Sequence, residues 1–178
     1  MDARDVLHHF SEDPSIEQFI PHVPTTNPTQ RAAVWAIDAD HAPLYWFPRD
    51  CPRVTAWPRT PNDLAAFQAT WHTTARRVHA IESGWLDRMR TVALYRYDLP
   101  AAPFQPWPDA EGQWIAHTLV KPQAVDRLGD LLTLHVQADI ELRITPSLWP
   151  LWDLAQDGPW SFPIVRMRNA ASRDAFRS

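Results

Sequence analysis

Proline constrains the fold of this chain more than any other residue, because eighteen prolines stand against only four glycines. Proline fixes its own backbone and restricts the residue before it, whereas glycine loosens the backbone. We therefore expect stiff, well-defined connections between elements rather than flexible ones. The segment PRDCPR, residues 48–53, is the clearest case, since its prolines predict a constrained corner.

Length and charge favour a single domain with no nucleic-acid surface. A chain of 178 residues is long enough for one well-buried domain and short for two. We predict one domain over residues 1–170 and a frayed tail over residues 171–178. The net charge is −4 and the basic residues are dispersed, which argues against a dedicated nucleic-acid-binding surface.

The location predicted from the sequence is the cytoplasm. A membrane span requires about 20 apolar residues in a row, and no apolar run of this sequence approaches that length. The opening segment MDARDVLHHF lacks the basic-then-apolar plan of a signal peptide. The single cysteine excludes an internal disulfide and fits a reducing compartment. We expect no contact with a membrane.

Apolar spacing predicts an α+β fold with a small, bent antiparallel or mixed sheet and flanking helices, because strands and helices interleave without a regular βαβ repeat. Strands are predicted over residues 5–10, 32–38, 54–57, 91–99, 113–120, 141–145 and 162–168. Helices are predicted after a cap at Ser11 or Asp13, over 60–90 with a break at Gly84, and over 146–155.

Three segments are less regular. Residues 42–47 fit a short helix or an extended turn, and residues 128–137 fit either a helix or a strand. Residues 21–31 carry three prolines without periodicity, which predicts a loop that could act as a lid.

Two blocks, LHHFSEDPSIEQFIP near the start and APLYWFPRDCPRV over residues 42–54, place polar side chains among aromatic and β-branched ones. Ionisable side chains beside apolar surface need partners. We predict that both blocks line one cleft that binds a nucleotide-like or other phosphorylated small ligand. The residues expected to contact this ligand are His9, Ser11, Trp35, Tyr45, Arg49, Asp50 and Arg53.

Each predicted role follows from side-chain chemistry. His9 would orient the ligand and is the candidate catalytic residue, in a transfer or hydrolysis at a glycosidic or phosphate ester bond. Arg49 and Arg53 could clamp a diphosphate bidentately. Tyr45 would stack on a ring. Ser11 could lie near an anion at a helix start.

A structural explanation exists for each of these residues as well. His9 could simply bond a nearby carbonyl, and Ser11 could cap a helix. Asp50 could form an ion pair that fastens the corner to the domain. Trp35 and Tyr45 could belong to the core rather than to a ligand platform.

The neighbouring candidates favour structural roles. His8 should point to the opposite face of its strand from His9, toward structure or solvent. Cys51 could be a nucleophile if a nearby group lowers its pKa, but a lone buried cysteine usually fills space. His41 and Asp38 could join these residues around a metal, yet no spacing resembles a metal motif, so no metal site is predicted.

The alternative prediction is a non-enzymatic protein that binds another protein, or a second copy of itself, through a Trp- and Pro-rich surface. A homodimer is therefore possible. The tryptophans at 149, 152 and 160 are expected to pack around the last helix.

The segments LHHFSEDPSIEQFIPHVP, VWAIDADHAPLYWFPRDCPRV and GQWIAHTLVKP, in this order, resemble an uncharacterised bacterial family of single-domain proteins. The resemblance covers most of the chain, and PRDCPR is its most specific part. It implies no activity.

A weaker resemblance is to ADP-ribosyltransferase-like domains, carried by HHF, IEQFIPH, VWAID and HAPLYWF in that order. It implies an ADP-ribosyltransferase-like fold, with NAD as a possible substrate or ligand. His9 would match the ribose-holding histidine, Tyr45 the aromatic that stacks on nicotinamide, and His8 the usual tyrosine. The late-strand catalytic Glu would fall near Gln113, where no Glu stands, although Glu111 is nearby.

Overall fold

A computed structural model describes residues 6–23 and 28–176 of the chain. Within them the fold is α+β. The strands in chain order are β1 (Val6–Ser11), β2 (Val34–Ile37), β3 (Arg53–Pro58), β4 (Arg77–Glu82), β5 (Tyr95–Pro100), β6 (Gln105–Pro106), β7 (Gln113–Ala116), β8 (Ala124–Arg127), β9 (Ile140–Thr145), β10 (Trp160–Ser161) and β11 (Ile164–Val165).

The helices are short. The α-helices are α1 (Leu64–Trp71), α2 (Leu86–Thr91), α3 (Leu131–Gln137) and α4 (Trp149–Ala155). Single turns of 3-10 helix span Ala42–Tyr45, Pro61–Asp63, Ser83–Trp85, Met167–Asn169 and Arg173–Phe176. Across the described part of the chain, none of the helices has the length and apolar character that a membrane crossing requires.

The chain divides into two compact units, and each unit takes two segments of the sequence. The first unit contains Met1–Trp46 and Ala93–Leu128, and the second contains Phe47–Val92 and Gly129–Ser178. The single domain predicted over residues 1–170 stays a prediction.

The first unit is built on an antiparallel sheet with the strand order β6-β7-β2-β1-β5-β8. Successive side chains along a strand point to opposite faces, and the main core cluster lies on one of these faces. The buried residues of that core are Leu7, Phe19, Val34, Ala36, Tyr97, Leu99, Phe104, Ala116 and Val120. Burying each large apolar side chain contributes about 1.5–3 kcal/mol.

The second unit is built on a mixed sheet with the order β10-β3-β4-β9, and β11 also pairs with β3. The β4–β9 pair is parallel, and the other pairs are antiparallel. The helices α1 and α4 pack on one face. The buried core there consists of Val54, Ala56, Phe67, Trp71, Val78, Ala80, Leu148, Ala155 and Trp160.

The tryptophans near the C-terminus pack around α4, as predicted. Trp160 is buried, and its indole N–H donates to the Ala155 carbonyl at 2.7 Å. The centroids of the Trp149 and Trp152 rings are 5.4 Å apart. The indole N–H of Trp149 donates to the Ala171 carbonyl at 2.8 Å. Beyond it, Arg173 donates to the Asp153 carboxylate at 2.6 Å, so the predicted tail makes contacts with α4.

The predicted helix over residues 60–90 is wrong in its middle, where β4 forms instead. The helix α1 ends at Trp71, and the next residue, His72, caps it with a left-handed backbone φ of 48°. From Arg77 the chain pairs with β3 and β9 on both sides, and five of the six residues of β4 are buried. The apolar spacing of Val78 and Ile81 fitted a helix, but pairing between strands distant in sequence decided the outcome.

The short helix predicted after Ser11 or Asp13 is also wrong. Ser11 Oγ accepts from the Asp13 N–H at 3.1 Å, and Asp13 Oδ1 accepts from the Ser15 N–H at 2.8 Å. The same side-chain groups that cap helices here close local turns, which compete with helix formation. The chain then continues to Phe19, which forms a bridge with Val120.

The other predicted strands and the helix predicted over residues 146–155 form, although some are shorter than predicted. Residues 42–47 begin as a 3-10 turn, and residues 128–137 contain the helix α3. The final strand predicted over 162–168 is reduced to β11 and then a 3-10 turn. The strand β8 was missed because its four residues are exposed and carry no apolar alternation. The lid prediction falls partly on residues 24–27, which lie outside the described residues, and stays a prediction.

Candidate functional site

The two adjacent histidines of β1 lie on opposite faces of the first sheet, as predicted. His9 lies on the core face, where its ring centroid is 4.7 Å from that of Phe19. Its Nδ1 is 3.0 Å from the Trp35 carbonyl oxygen, so this nitrogen carries the proton and donates. His9 thus ties β1 to its surroundings in the core. Its predicted ligand-holding and catalytic roles stay predictions.

His8 lies on the other face, in a set of charged side chains that we call the polar network: His8, Arg96, Asp98 and Asp126. His8 Nδ1 is 2.9 Å from Asp98 Oδ1, and Arg96 Nε donates to the same oxygen at 2.8 Å. Arg96 Nη2 donates to Asp98 Oδ2 at 3.3 Å and to Asp126 Oδ2 at 2.8 Å. The strand register produces this cluster, since His8 pairs with Asp98 and Arg96 pairs with Asp126.

The polar network has a definite chemistry. A carboxylate only accepts hydrogen bonds, so His8 Nδ1 is the donor, and a neutral ring in this orientation presents an acceptor at Nε2. The His8 side chain is 14% exposed and that of Asp98 is 20% exposed. The network holds two carboxylates, those of Asp98 and Asp126, and one guanidinium, that of Arg96. The network therefore favours groups that donate hydrogen bonds over groups that carry a phosphate charge.

An aromatic pair lies beside the polar network on the same face. Phe10 follows His8 by two residues along β1, so both side chains point to that face. The Phe10 and Tyr45 rings are parallel within 2°, with centroids 6.2 Å apart. The Tyr45 hydroxyl accepts from the Gln113 side chain at 3.3 Å. A proline near the start of the 3-10 turn Ala42–Tyr45 helps to fix the position of Tyr45.

The structure brings together some of the predicted site residues and separates others. Tyr45 and Gln113, which the weaker resemblance places at the nicotinamide and catalytic positions, are hydrogen-bonded. His9 is on the opposite face of the sheet from this pair. Trp35 is half-buried and packs edge-on against Trp107, with centroids 5.3 Å apart. Ser11 is buried and accepts from the Asp13 N–H.

The proline corner belongs to the second unit. Arg53 is 4% exposed, lies 4.9 Å over the Phe47 ring, and donates to the Cys51 carbonyl at 3.1 Å. Arg49 and Asp50 are exposed. Arg49 and Arg53 therefore differ strongly in exposure. A diphosphate clamp formed by both, and a cleft shared with His9 of the first unit, stay predictions.

Contacts from the C-terminal segment fasten the corner to the rest of the second unit. The Asn169 side chain donates to the Asp50 carbonyl at 2.8 Å. Arg166 Nε is 3.9 Å from Asp50 Oδ1, an exposed and therefore weak ion pair. This is the structural role that the sequence left open for Asp50.

Cys51 is fully buried at 0% exposure. Burial raises the pKa of Cys51 to about 12, with Arg53 lowering it and Glu82 raising it further. A thiol with so high a pKa holds almost no thiolate near neutral pH, so the geometry favours a space-filling role over a nucleophile. Within residues 6–23 and 28–176, no three metal-ligating side chains cluster.

Arg96, Asp98 and Asp126 were not predicted as partners of His8. Arg96 and Asp98 alternate along the predicted strand 91–99, which was the available signal for a shared face. Which strand pairs with β1, and in which register, depends on the whole sheet. The buried pair of His79 and His135 in the second unit was not predicted either, and these residues lie 56 positions apart in the chain.

Comparisons with known proteins identify the family and nothing further. A family model described as a family of unknown function (DUF6886) matches residues 8–170, so the chain belongs to this family. No curated protein matches the chain. No solved structure matches it either.

Proposed function

We propose that the chain binds a nucleotide-like small ligand on the polar face of its first sheet, through the nucleoside part of that ligand. The observation that carries this proposal is that the polar network lies beside the parallel rings of Phe10 and Tyr45, opposite the apolar core. Ligand sites combine flat apolar surface with a few fixed polar groups, and this face supplies both.

The charges of the polar network favour the sugar and the base over the phosphates. Asp98 and Asp126 accept hydrogen bonds from hydroxyl groups, and His8 Nε2 accepts one more. Both carboxylates repel a phosphate, and Arg96 is already bonded to them. Any phosphate of the ligand therefore extends away from this network, and the predicted phosphate-binding role of Arg49 needs an experiment of its own.

The pairing of His8 with Asp98 also suits proton transfer. A carboxylate on Nδ1 orients an imidazole and fixes the tautomer whose Nε2 presents a lone pair, which can accept a proton. Transfer or hydrolysis at a glycosidic bond, as the weaker resemblance to ADP-ribosyltransferase-like domains implies, would use such a base. The amide of Gln113 cannot supply the negative charge of the missing Glu. We therefore expect the protein to bind NAD but to turn it over slowly or not at all.

Calorimetry and thermal shift with adenosine, ADP-ribose, NAD and ATP test the proposal. The folded wild type should bind at least one of them. His8→Ala and Tyr45→Leu should each raise the Kd at least about tenfold, which corresponds to about 1.4 kcal/mol. His72→Asn is the matched control, because His72 is exposed in the second unit and Asn tolerates its left-handed backbone.

Two results would refute the proposal: no response of the folded protein to any of the four compounds, or unchanged binding in both variants. The Arg49→Ala variant tests whether the proline corner binds the phosphates of the ligand in addition to the nucleoside contacts proposed for the first sheet. If this variant weakens ATP and ADP-ribose but not adenosine, the predicted phosphate role of the corner is supported. If it has no effect on any compound, the corner is not part of the site.

Self-association is the second candidate function. Ile20 is 62% exposed and Leu119 is 47% exposed, and each is next in sequence to one partner of the Phe19–Val120 bridge. No tryptophan is among the exposed large apolar residues of the described chain, which weighs against the predicted Trp-rich surface. Light scattering over a hundredfold range of concentration decides: a constant monomer mass in wild type excludes this candidate.

A further inference from the structure

Two buried histidines in the second unit form one hydrogen-bonded chain between a helix and a strand. His79 lies on β4 and His135 on α3, and both are 0% exposed. His135 Nε2 is 3.0 Å from His79 Nδ1, and His135 Nδ1 is 2.7 Å from the Leu131 carbonyl oxygen. The chain of contacts thus runs from the backbone of α3 to the centre of the second sheet.

The hydrogen-bond acceptors next to the two rings determine which nitrogen of each ring carries the proton. A carbonyl only accepts, so His135 Nδ1 carries a proton. Neutral His135 then presents a lone pair at Nε2, which His79 Nδ1–H must fill. This leaves His79 Nε2 as a bare lone pair, and it is buried with no hydrogen-bond partner among the described residues. With both imidazoles neutral, three of the four ring nitrogens have partners among the described residues, and neither ring buries a charge.

The surroundings oppose an added proton. The charged groups that act on His79 are Arg77 on its own strand and Arg53 on β3, both positive. On β9 its pairing partner is Leu142, and the Phe47 ring lies 5.5 Å from His79 and 5.0 Å from His135. Burial, then His135, then these arginines hold the pKa of His79 well below its usual range. Burial also lowers the pKa of His135, more than its bond to Leu131 raises it.

We propose that the His79–His135 pair is an acid-sensitive latch, which holds α3 on the second sheet while it is neutral and releases α3 when either ring is protonated. A proton on His135 Nε2 would either place two N–H groups face to face or move the His79 proton to its unpartnered Nε2, and in both cases a cation would be buried. A proton on His79 Nε2 would bury a cation between two arginines. Exposing the rings to water relieves both of these unfavourable states. The seven residues of α3 are too few to stay helical without tertiary contacts, so the helix opens with the pair.

The direction of the pH effect follows from the two lowered pKa values. In the unfolded chain a histidine has a pKa of about 6.5, which is above the pKa values of both folded rings. The latch therefore has its full strength above that pH. It weakens as the pH falls below about 6.5 toward the folded pKa values. Each proton taken up on opening raises the opening constant by up to about tenfold per pH unit.

Hydrogen exchange on the full chain at pH 7.5 and pH 5.0 tests the latch. Protection factors in α3 of wild type should fall at least about tenfold between these pH values. The double variant His79→Leu/His135→Leu should lose that dependence, because neither position can then take up a proton. His72→Asn, which leaves the buried pair intact, should keep the wild-type dependence.

The imidazole nitrogen spectrum of wild type gives a second measurement that needs no variant, in case the double variant does not fold. At pH 7.5 both rings should carry the proton on Nδ1. The latch is refuted by protection in α3 that does not depend on pH, by a double variant with the wild-type dependence, or by a proton on His79 Nε2. A pH-dependent loss of protection in α3 together with both Nδ1 protons supports it.

Discussion

At the scale of single residues, Gly112 shows how one backbone position fixes a turn. Its φ is 74°, in the left-handed region that favours glycine. A Cβ on this residue would lie 2.3 Å from the His41 ring. His41 is held there because its Nδ1 bonds Asp38 Oδ1 at 2.7 Å, and the Gly112 carbonyl accepts from the Asp38 N–H at 3.0 Å. No side chain other than hydrogen fits.

We predict that Gly112→Ala destabilises the protein by about 1–3 kcal/mol, because it combines backbone strain with a steric clash. Urea unfolding measures this change in the free energy of unfolding. Gly84→Ala is the matched control, since nothing lies within 4 Å of a Cβ there, and its effect should stay within about 0.5 kcal/mol. Equal effects of the two substitutions would contradict the argument.

Cys51 gives a second prediction at this scale. Its pKa of about 12, against 9.0 for an ordinary thiol, lowers the thiolate fraction near neutral pH by three powers of ten. Native protein should therefore react with iodoacetamide on the order of a thousandfold more slowly than protein unfolded in urea. Native reaction as fast as that of the unfolded chain would show that Cys51 is exposed and reactive.

At the scale of elements, the core between α1 and the second sheet relies on aromatic contacts. Phe67 is 0% exposed, and its ring lies 5.7 Å from Trp71 and 6.0 Å from Trp160. Large aromatic side chains contribute most of the apolar area that such a short helix can bury. The eight residues of α1 are stable because of this packing rather than by their own propensity.

Phe67→Ala should destabilise the protein by about 3–5 kcal/mol, because it leaves a cavity among rigid rings. Val136→Ala is the control, since that side chain is 74% exposed on α3, and it should change stability by less than about 0.5 kcal/mol. Thermal unfolding of both variants decides. A small effect of Phe67→Ala would mean that the cavity collapses.

The strand β4 explains why some elements could be predicted from the sequence and others could not. Strands such as β2 and β5 show local apolar patterns that suffice for prediction. In β4 the spacing of Val78 and Ile81 also fits a helix, and only its pairing with β3 and β9 makes it a strand. Those partners lie in distant segments, so no local pattern contains that information.

At the scale of the whole molecule, each unit is assembled from two separate stretches of sequence. The strands β4 and β9 are paired in parallel although the whole segment Ala93–Leu128 of the first unit lies between them in the chain. The composition of a single stretch therefore does not reveal either unit. The joint cleft predicted from two blocks that are distant along the chain stays untested, and the boundary between the units at Trp46 and Phe47 divides its second block.

The sequence alone determined the α+β class, most strands, the packing of the C-terminal tryptophans and the opposite orientations of His8 and His9. These follow from short-range rules: strand alternation, proline geometry and apolar periodicity. The tertiary structure alone decided that His8 meets Asp98 and that His79 meets His135. Sheet register and helix packing bring those side chains together across long separations, and they depend on burial summed over the entire chain.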